Sequence, residues 1–424
     1  MGRAKWRAKC PLDQQRLEGL LKEYFALAIV QKDGSVAWKG FEPHDYHLVL
    51  LGCIEFGDNL PRDLKERSLW KASNECAKAS SRLPKDFIDS LNRSIAQHYA
   101  ERPERATIVT KVSCAALRKT IKFKVLNFTI TIHSGRPGRL DISPFWASRE
   151  VLPHEPDHYL YVTLQGEGRT ISDKFEQGLR ELSIVGAFLN LIATFGSRTI
   201  FTSRGNGLPL RRISFGKYFL LYDKTGRRHE DRYHYLYDDE LAEDLVSEDK
   251  FAEYLRQVQI LAQRLRKHPL RDELRASLLL YHSALEARDI DAALMRMWSA
   301  TEQLAFTSKL FKGDETVKRL SSLFSDGEMV AAKLTAVREN TNRSVHLGDH
   351  DEFGLALVQC CKMYFERTFL FYLNNKIGLK TRDDLEVFLT APVKDIKKRI
   401  KVLEKRVLFE RESAPTRKIA RRAA

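Results

Sequence analysis

Long apolar runs are missing from this 424-residue chain. The longest, around Val185–Ala193, falls well short of the roughly 20 residues a membrane-spanning helix needs, so no membrane partner is expected. The opening residues, Met1 to Lys9, hold no apolar core of a secretory leader, and Trp6 stands where a myristoylation signal requires Ser or Thr. Paired cysteines are missing as well. Cys10, Cys53, Cys76, Cys114, Cys360 and Cys361 contain no Cys-x-x-Cys spacing, and they read as free thiols of a reducing compartment. A cytoplasmic location is therefore expected. The chain also lacks a His-Glu-x-x-His pair, a Gly-x-Ser-x-Gly elbow and a phosphate loop ending in Gly-Lys-Ser/Thr. Neither a metal nor a cofactor is expected.

What the chain has in excess is positive charge. Its 71 Lys and Arg outnumber 56 Asp and Glu, for a net charge of +15. Such a balance favours a polyanionic partner, nucleic acid before membrane. Apolar residues make up 43% and aromatics 10%, which excludes a disordered chain and suits two or three domains with their own cores.

The fold class expected is α+β: a mixed N-terminal domain, then an all-α bundle and a basic C-terminal helix. Residues 1–270 carry candidate strands at Phe25–Gln31, Val36–Phe41, Tyr46–Phe56, Thr107–Ser113, Lys122–His133, Tyr159–Leu164 and Phe215–Tyr222, each rich in β-branched or aromatic residues. Helical patterns interrupt them near 61–80, 84–99 and 171–195. This region reads as a sensing or substrate-binding domain.

From about 239 the pattern is helical. Leu241–Lys267 ends at His268-Pro269. Leu274, Leu278, Tyr281 and Leu285 then mark one face, and Asp289 or Asp291 caps a helix carrying Leu294, Trp298, Thr301 and Ala305. Helices follow near Val317–Phe324, Met329–His346 and Phe353–Leu373, the last with Phe353, Leu357, Cys361, Tyr364 and Phe371 as its inner face. Residues 271–376 thus read as a helical bundle. Residues 377–424 read as a basic amphipathic helix and an unstructured tail. Val393, Ile396, Ile400, Leu403 and Val407 repeat at heptad spacing, compatible with a dimer seam or with packing on the chain's own bundle. Residues 391–424 hold 12 Lys/Arg against 4 Asp/Glu, a net of 8 positive charges. Lys397, Lys398, Arg399, Lys401, Arg417 and Lys418 are the candidate nucleic-acid contacts there.

The chemistry-bearing stretch is Val337-Arg-Glu-Asn-Thr-Asn-Arg-Ser-Val-His-Leu-Gly348. It sets a histidine, which titrates near neutrality, beside Asn342 and two guanidinium groups able to grip phosphate oxygens, all at a helix end. On an α-helix, positions 342 and 346 are about 40° apart and share a face. Arg343 lies about 60° from position 346 and Arg338 about 80°.

The segment 271–376 resembles a HEPN domain, particularly the ApeA-like branch of bacterial defence proteins. The resemblance rests on Leu294-Met-Arg-Met-Trp298-Ser-Ala-Thr-Glu302-Gln-Leu304 and on Asn342-Arg-Ser-Val-His346-Leu-Gly348. It implies a metal-independent endoribonuclease that acts as a homodimer, its two motifs facing across a composite cleft and responding to a phage-derived trigger or partner protein. His346 would act as general acid or base for attack of the RNA 2′-hydroxyl on phosphorus, and an arginine would offset charge on the phosphoryl oxygens. Asn342 would orient either group, and Glu302 would support the motif from a neighbouring helix. The family arginine has four to six residues between it and the histidine, which here are Thr341, Asn340 and Glu339. Arg338 has seven and Arg343 two. A binding-only, degenerate version of the domain stays open beside the enzyme.

Other clusters read as structural. His44, Asp45 and His47, and His154, Glu155, Asp157 and His158, only loosely resemble metal ligands. The Gly205-Asn-Gly207 loop with Arg204, Arg211 and Arg212 could cradle a phosphate but lacks the Gly-Lys-Ser/Thr ending and reads as a plain loop, whereas Arg227-Arg-His229 with Tyr233 to Tyr237 reads equally as an RNA groove or a solvated loop.

Overall fold

A computed structural model describes every residue except 1–2, 9, 11, 41, 58–59, 61, 81–82, 115–116, 126, 139, 141–158, 196–207, 209, 217, 236–245, 307–312, 348–352, 391–401, 403 and 410–424. The His154 cluster, the Gly205 loop, most of the heptad seam, and Lys397, Lys398, Arg399, Lys401, Arg417 and Lys418 lie outside the described residues. The fold is α+β with a helical C-terminal region. It divides into two units, residues 1–106 with 167–177, and residues 107–166 with 178–424. The second unit holds most of a six-stranded sheet together with the 271–376 helices.

The first unit begins with β1 (Lys5–Trp6) and α1 (Gln14–Ala26). Asp13 starts α1, its carboxylate accepting from the Arg16 amide at 2.8 Å. Leu17, Leu21, Tyr24 and Phe25 then fall on one helical stripe and are buried. Only part of the strand expected at Phe25–Gln31 forms: β2 (Ala28–Val30) pairs with β3 (Val36–Trp38). Gly34, at φ +79°, makes the turn. The strand expected at Tyr46–Phe56 is instead α2 (Glu42–Cys53) followed by a two-residue β4 (Ile54–Glu55), which pairs with β1. Pro43, His47, Leu50 and Cys53 go inward at three- and four-residue spacing, a helical period hidden in the sequence by the exposed Leu48 and Val49. Then come α3 (Arg62–Lys78) and α4 (Pro84–Ala100). Leu64, Leu69, Phe87 and Leu91 join the α1 stripe in one core.

The sheet contains β5 (Glu104–Val112), β6 (Ile121–Val125), β7 (Phe128–Ile132), β8 (Leu160–Gly168), β9 (Tyr218–Tyr222) and β10 (Arg228–Tyr235), in the order β10-β9-β5-β8-β7-β6. The single strand expected over Lys122–His133 is a hairpin, with Val125 opposite Phe128. Buried Phe123 and Val125 sit at odd positions, and buried Phe128, Ile130 and Ile132 at even ones. That change of parity is the mark of two strands. Strand β10 runs through the Arg227–Tyr237 stretch, for which the sequence left an RNA groove or a solvated loop open, and pairs irregularly with β9. After β8 the long α5 (Ile171–Thr194) runs against the sheet. A methyl group on its Gly178 would lie 2.2 Å from the Ile108 side-chain end and 3.1 Å from that of Leu164, so a larger residue there would require those side chains to shift.

The remaining helices are α6 (Glu248–Lys267), α7 (Arg271–Leu285), α8 (Ile290–Gln303), α9 (Gly313–Ser321), α10 (Gly327–Leu347), α11 (Gly354–Asn374) and α12 (Arg382–Thr390). His268 ends α6 before Pro269, and Asp289 caps α8 by accepting from the Ala292 amide at 2.8 Å. Leu274, Leu278, Tyr281 and Leu285 are fully buried, each aliphatic side chain contributing roughly 1.5–3 kcal/mol. The inner face of α11 differs from expectation. Cys361, Tyr364 and Phe371 are buried as expected, but Phe353 is 68% exposed and Leu357 half-buried, and Val358, Phe365, Phe369 and Tyr372 complete the buried line. Residues 404–409 are also helical, and Phe409 packs edge-on against Phe324 and Phe371.

Candidate functional site

Val330, Leu334, Val337 and Thr341 are the buried stripe of α10, spaced four, three and four residues apart. That stripe fixes where everything else on the helix must go. Thr341, one of the positions where the HEPN pattern would carry its arginine, faces the core, and its hydroxyl donates to the Val337 carbonyl at 2.9 Å. Asn340 likewise donates to the Ala336 carbonyl at 2.9 Å. Both side chains serve their own helix, and Glu339 is exposed.

Arg338 is half-buried and forms an ion pair from Nη1 to the Asp314 carboxylate, in the first turn of α9. Its Nε is buried with no partner among the described residues. Asn342 and Arg343 are exposed, and neither has a hydrogen-bond or ion-pair partner among the described residues. The helix continues without a break through Leu347, so position 346 sits in its last turn, one turn beyond Asn342. The His346 side chain lies outside the described ones. The arrangement offers solvent an amide and a guanidinium beside a histidine position, with the second guanidinium already engaged.

Glu302 ends α8, and its half-buried carboxyl is hydrogen-bonded by the Trp298 side chain one turn earlier; burial raises its pKa, and that bond lowers it. Trp298 itself is core, at 4% exposed. Nearby, the Thr301 hydroxyl and Cys361 sulfur are 3.3 Å apart, and burial pushes that thiol up to about 12. Such a thiol is inert as a nucleophile.

The helical region also holds a polar network where the sequence pattern suggests plain apolar packing. Tyr281 on α7 donates to Glu366 Oε1 at 2.6 Å, and Lys362 Nζ reaches the same oxygen at 2.6 Å. Lys362 also donates to the carbonyl of Thr194 at the end of α5, 3.2 Å away. Burial and the neighbouring carboxylate hold the Tyr281 phenol well above its ordinary value. An i, i+4 Lys–Glu pair inside a strongly apolar helix was the available signal. Buried and mutually satisfied, it ties α5, α7 and α11 together rather than offering a reactive group.

Two more pairs link α5 and the irregular segment after it to α7. Arg211, near the Gly205–Gly207 stretch read as a plain loop, is buried and sits 2.7 Å from Glu286. His282 packs beside it, pushed down to about 4 by burial and by that guanidinium. Glu181 pairs with Arg275; burial pushes the carboxyl up to about 7 although the arginine pulls it down. In the first unit, His47 is held 2.5 Å from the Tyr24 hydroxyl and 3.3 Å from Ser73, and burial lowers it to about 4. It is a packed core histidine.

Comparison of this chain with protein-family models, curated proteins and solved structures yields no match.

Proposed function

We propose that this protein is a metal-independent endoribonuclease of the HEPN type, acting in the cytoplasm as a homodimer in bacterial abortive defence against phage. One observation carries the reading: Asn342 and Arg343 stand exposed in an unbroken helix, one turn or less before position 346. Arg338 pairs with Asp314, which leaves Arg343, without a partner among the described residues, as the guanidinium to meet a phosphate. In the dimer two such helix ends face one RNA strand. His346 exchanges a proton with the attacking 2′-hydroxyl or the departing 5′-oxygen, and Arg343 offsets charge on the phosphoryl oxygens as the 2′-oxygen bonds to phosphorus. Asn342 orients the histidine or the phosphate. The setting in phage defence, with a trigger molecule or partner protein, comes from the HEPN resemblance.

A second reading, a nucleic-acid-binding or regulatory subunit using the bundle for dimerisation, is favoured by Thr341. The position that would carry the family's arginine is core-facing and bonded to its own helix. Incubating purified protein and its His346→Ala variant with labelled structured and unstructured RNAs in EDTA decides between them. Cleavage that survives EDTA and vanishes in the variant is expected. Equal RNA retention by both proteins with no cleavage would establish the binding module instead.

A further inference from the structure

Packed helices normally face each other with apolar stripes; α3 and α4 do so through Leu64, Leu69, Phe87 and Leu91, but one side of their seam is polar. Arg67, Lys71 and Lys78 of α3, at intervals of four and seven residues, border a cleft of about 530 Å³ with Gln97 and His98 of α4 and Thr170. That volume is typical of small-molecule sites. We infer that this cleft binds a small phosphorylated ligand of mononucleotide size.

The polar groups of the cleft are oriented rather than loose. His98 Nε2 lies 3.0 Å from Asp173 Oδ2, with both side chains less than a tenth exposed. The imidazole therefore donates to a buried carboxylate, fixing the α4 wall to the first turn of α5. Thr170 precedes that helix, and its hydroxyl oxygen accepts from the Asp173 amide at 3.1 Å and from Arg67 Nη2 at 3.0 Å. The N-terminus of a 24-residue helix thus borders the cleft, adding the partial positive charge that favours phosphate. Lys71 is exposed and its ammonium bonds the neutral Gln97 carbonyl at 2.6 Å, so its charge is not neutralised by that contact.

Glu75 and Glu101 also line the cleft, and Glu75 accepts from Ser90 at 2.5 Å. They decide the ligand class. A nucleic-acid strand needs a continuous basic track, which two carboxylates interrupt. A compact ligand with one phosphate and a neutral hydrogen-bonding body suits three cations interleaved with two acids. This site is independent of the α10 motif and of the ribonuclease reading.

Titration calorimetry on the full-length protein tests it, with 5′-AMP, inorganic phosphate, adenosine, and a short RNA lacking terminal phosphates as probes. AMP is expected to bind at least about tenfold more tightly than adenosine, reflecting one charge-assisted phosphate contact. Lys71→Met should lose about tenfold in AMP affinity, while Lys85→Met, exposed at the start of α4, and Arg343→Ala leave it unchanged. Circular dichroism of Lys71→Met checks folding, and Arg67→Gln serves as the second cleft variant. The proposal is overturned if neither AMP nor phosphate binds at millimolar concentration, or if adenosine matches AMP. It is equally overturned if the RNA matches AMP, or if the folded cleft variants bind like the parent.

Discussion

Replacing Arg343 and Arg338 separately by alanine should divide activity from stability. Arg343 is exposed and has no partner among the described residues, so its loss should shift unfolding free energy by no more than about 0.5 kcal/mol. If it meets the phosphoryl oxygens, removing that interaction should lower the rate of RNA cleavage about 100- to 1,000-fold. Arg338 is the reverse case. Its side chain is 19% exposed and pairs with Asp314, which is 88% exposed. A pair with one end in water is worth about 0.5 kcal/mol, and the buried stem adds packing, so Arg338→Ala should cost about 1 kcal/mol. Its cleavage rate should stay within about threefold of the parent. Single-turnover cleavage of end-labelled RNA in EDTA, paired with urea denaturation of each variant, measures both quantities. A catalytically dead but folded Arg338→Ala alongside an active Arg343→Ala would refute this assignment of roles.

Three other perturbations follow from particular interactions. His282 is held neutral in the fold, at about 4 against an ordinary 6.5. Its contribution is complete above pH 6.5 and is lost as pH falls toward 4, up to about 3 kcal/mol; His282→Leu should flatten that part of the urea-midpoint profile, and an unchanged slope would contradict the argument. Lys362→Met leaves Glu366 charged and buried and should cost about 3–5 kcal/mol, with Lys362→Met/Glu366→Gln recovering much of it; a single variant as stable as the parent would show that the pair is not desolvated. Deleting residues 413–424 removes four Lys and Arg and should reduce the salt dependence of RNA binding by about 0.7 in log–log slope for each phosphate no longer neutralised, as filter binding across a salt series would show; an identical slope would remove the tail from the RNA interface.

The helical region was legible in the sequence wherever one helix could be read alone. Leu274, Leu278, Tyr281 and Leu285 point inward as their spacing demands, and Asp289 caps as its side chain allows. Legibility failed where two periods compete. In α2, Leu48 to Leu51 looks like a strand core, and only the inward set from Pro43 to Cys53 reveals the helix. In α11 apolar residues fall on every face, so the sequence could not say that Phe353 faces out while Val358 and Phe365 face in. On α10 the angular positions of Arg338, Asn342 and Arg343 follow from helical geometry. That Arg338 is occupied depends on Asp314, 24 residues earlier, and no local pattern predicts such a pairing. The α3–α4 cleft was invisible for the same reason, since its cations and His98 become neighbours only when two helices pack.

The central claim is that RNA is cut through its own 2′-hydroxyl, with protein side chains and no metal. Its most direct measurement compares two otherwise identical labelled oligoribonucleotides in EDTA, one with a single 2′-deoxy sugar at the mapped cut site. The all-ribo strand is expected to be cut to a product ending in a 2′,3′-cyclic phosphate, and the deoxy strand to survive at that linkage. Equal cleavage of both strands, or cleavage that stops when EDTA is added, would contradict it.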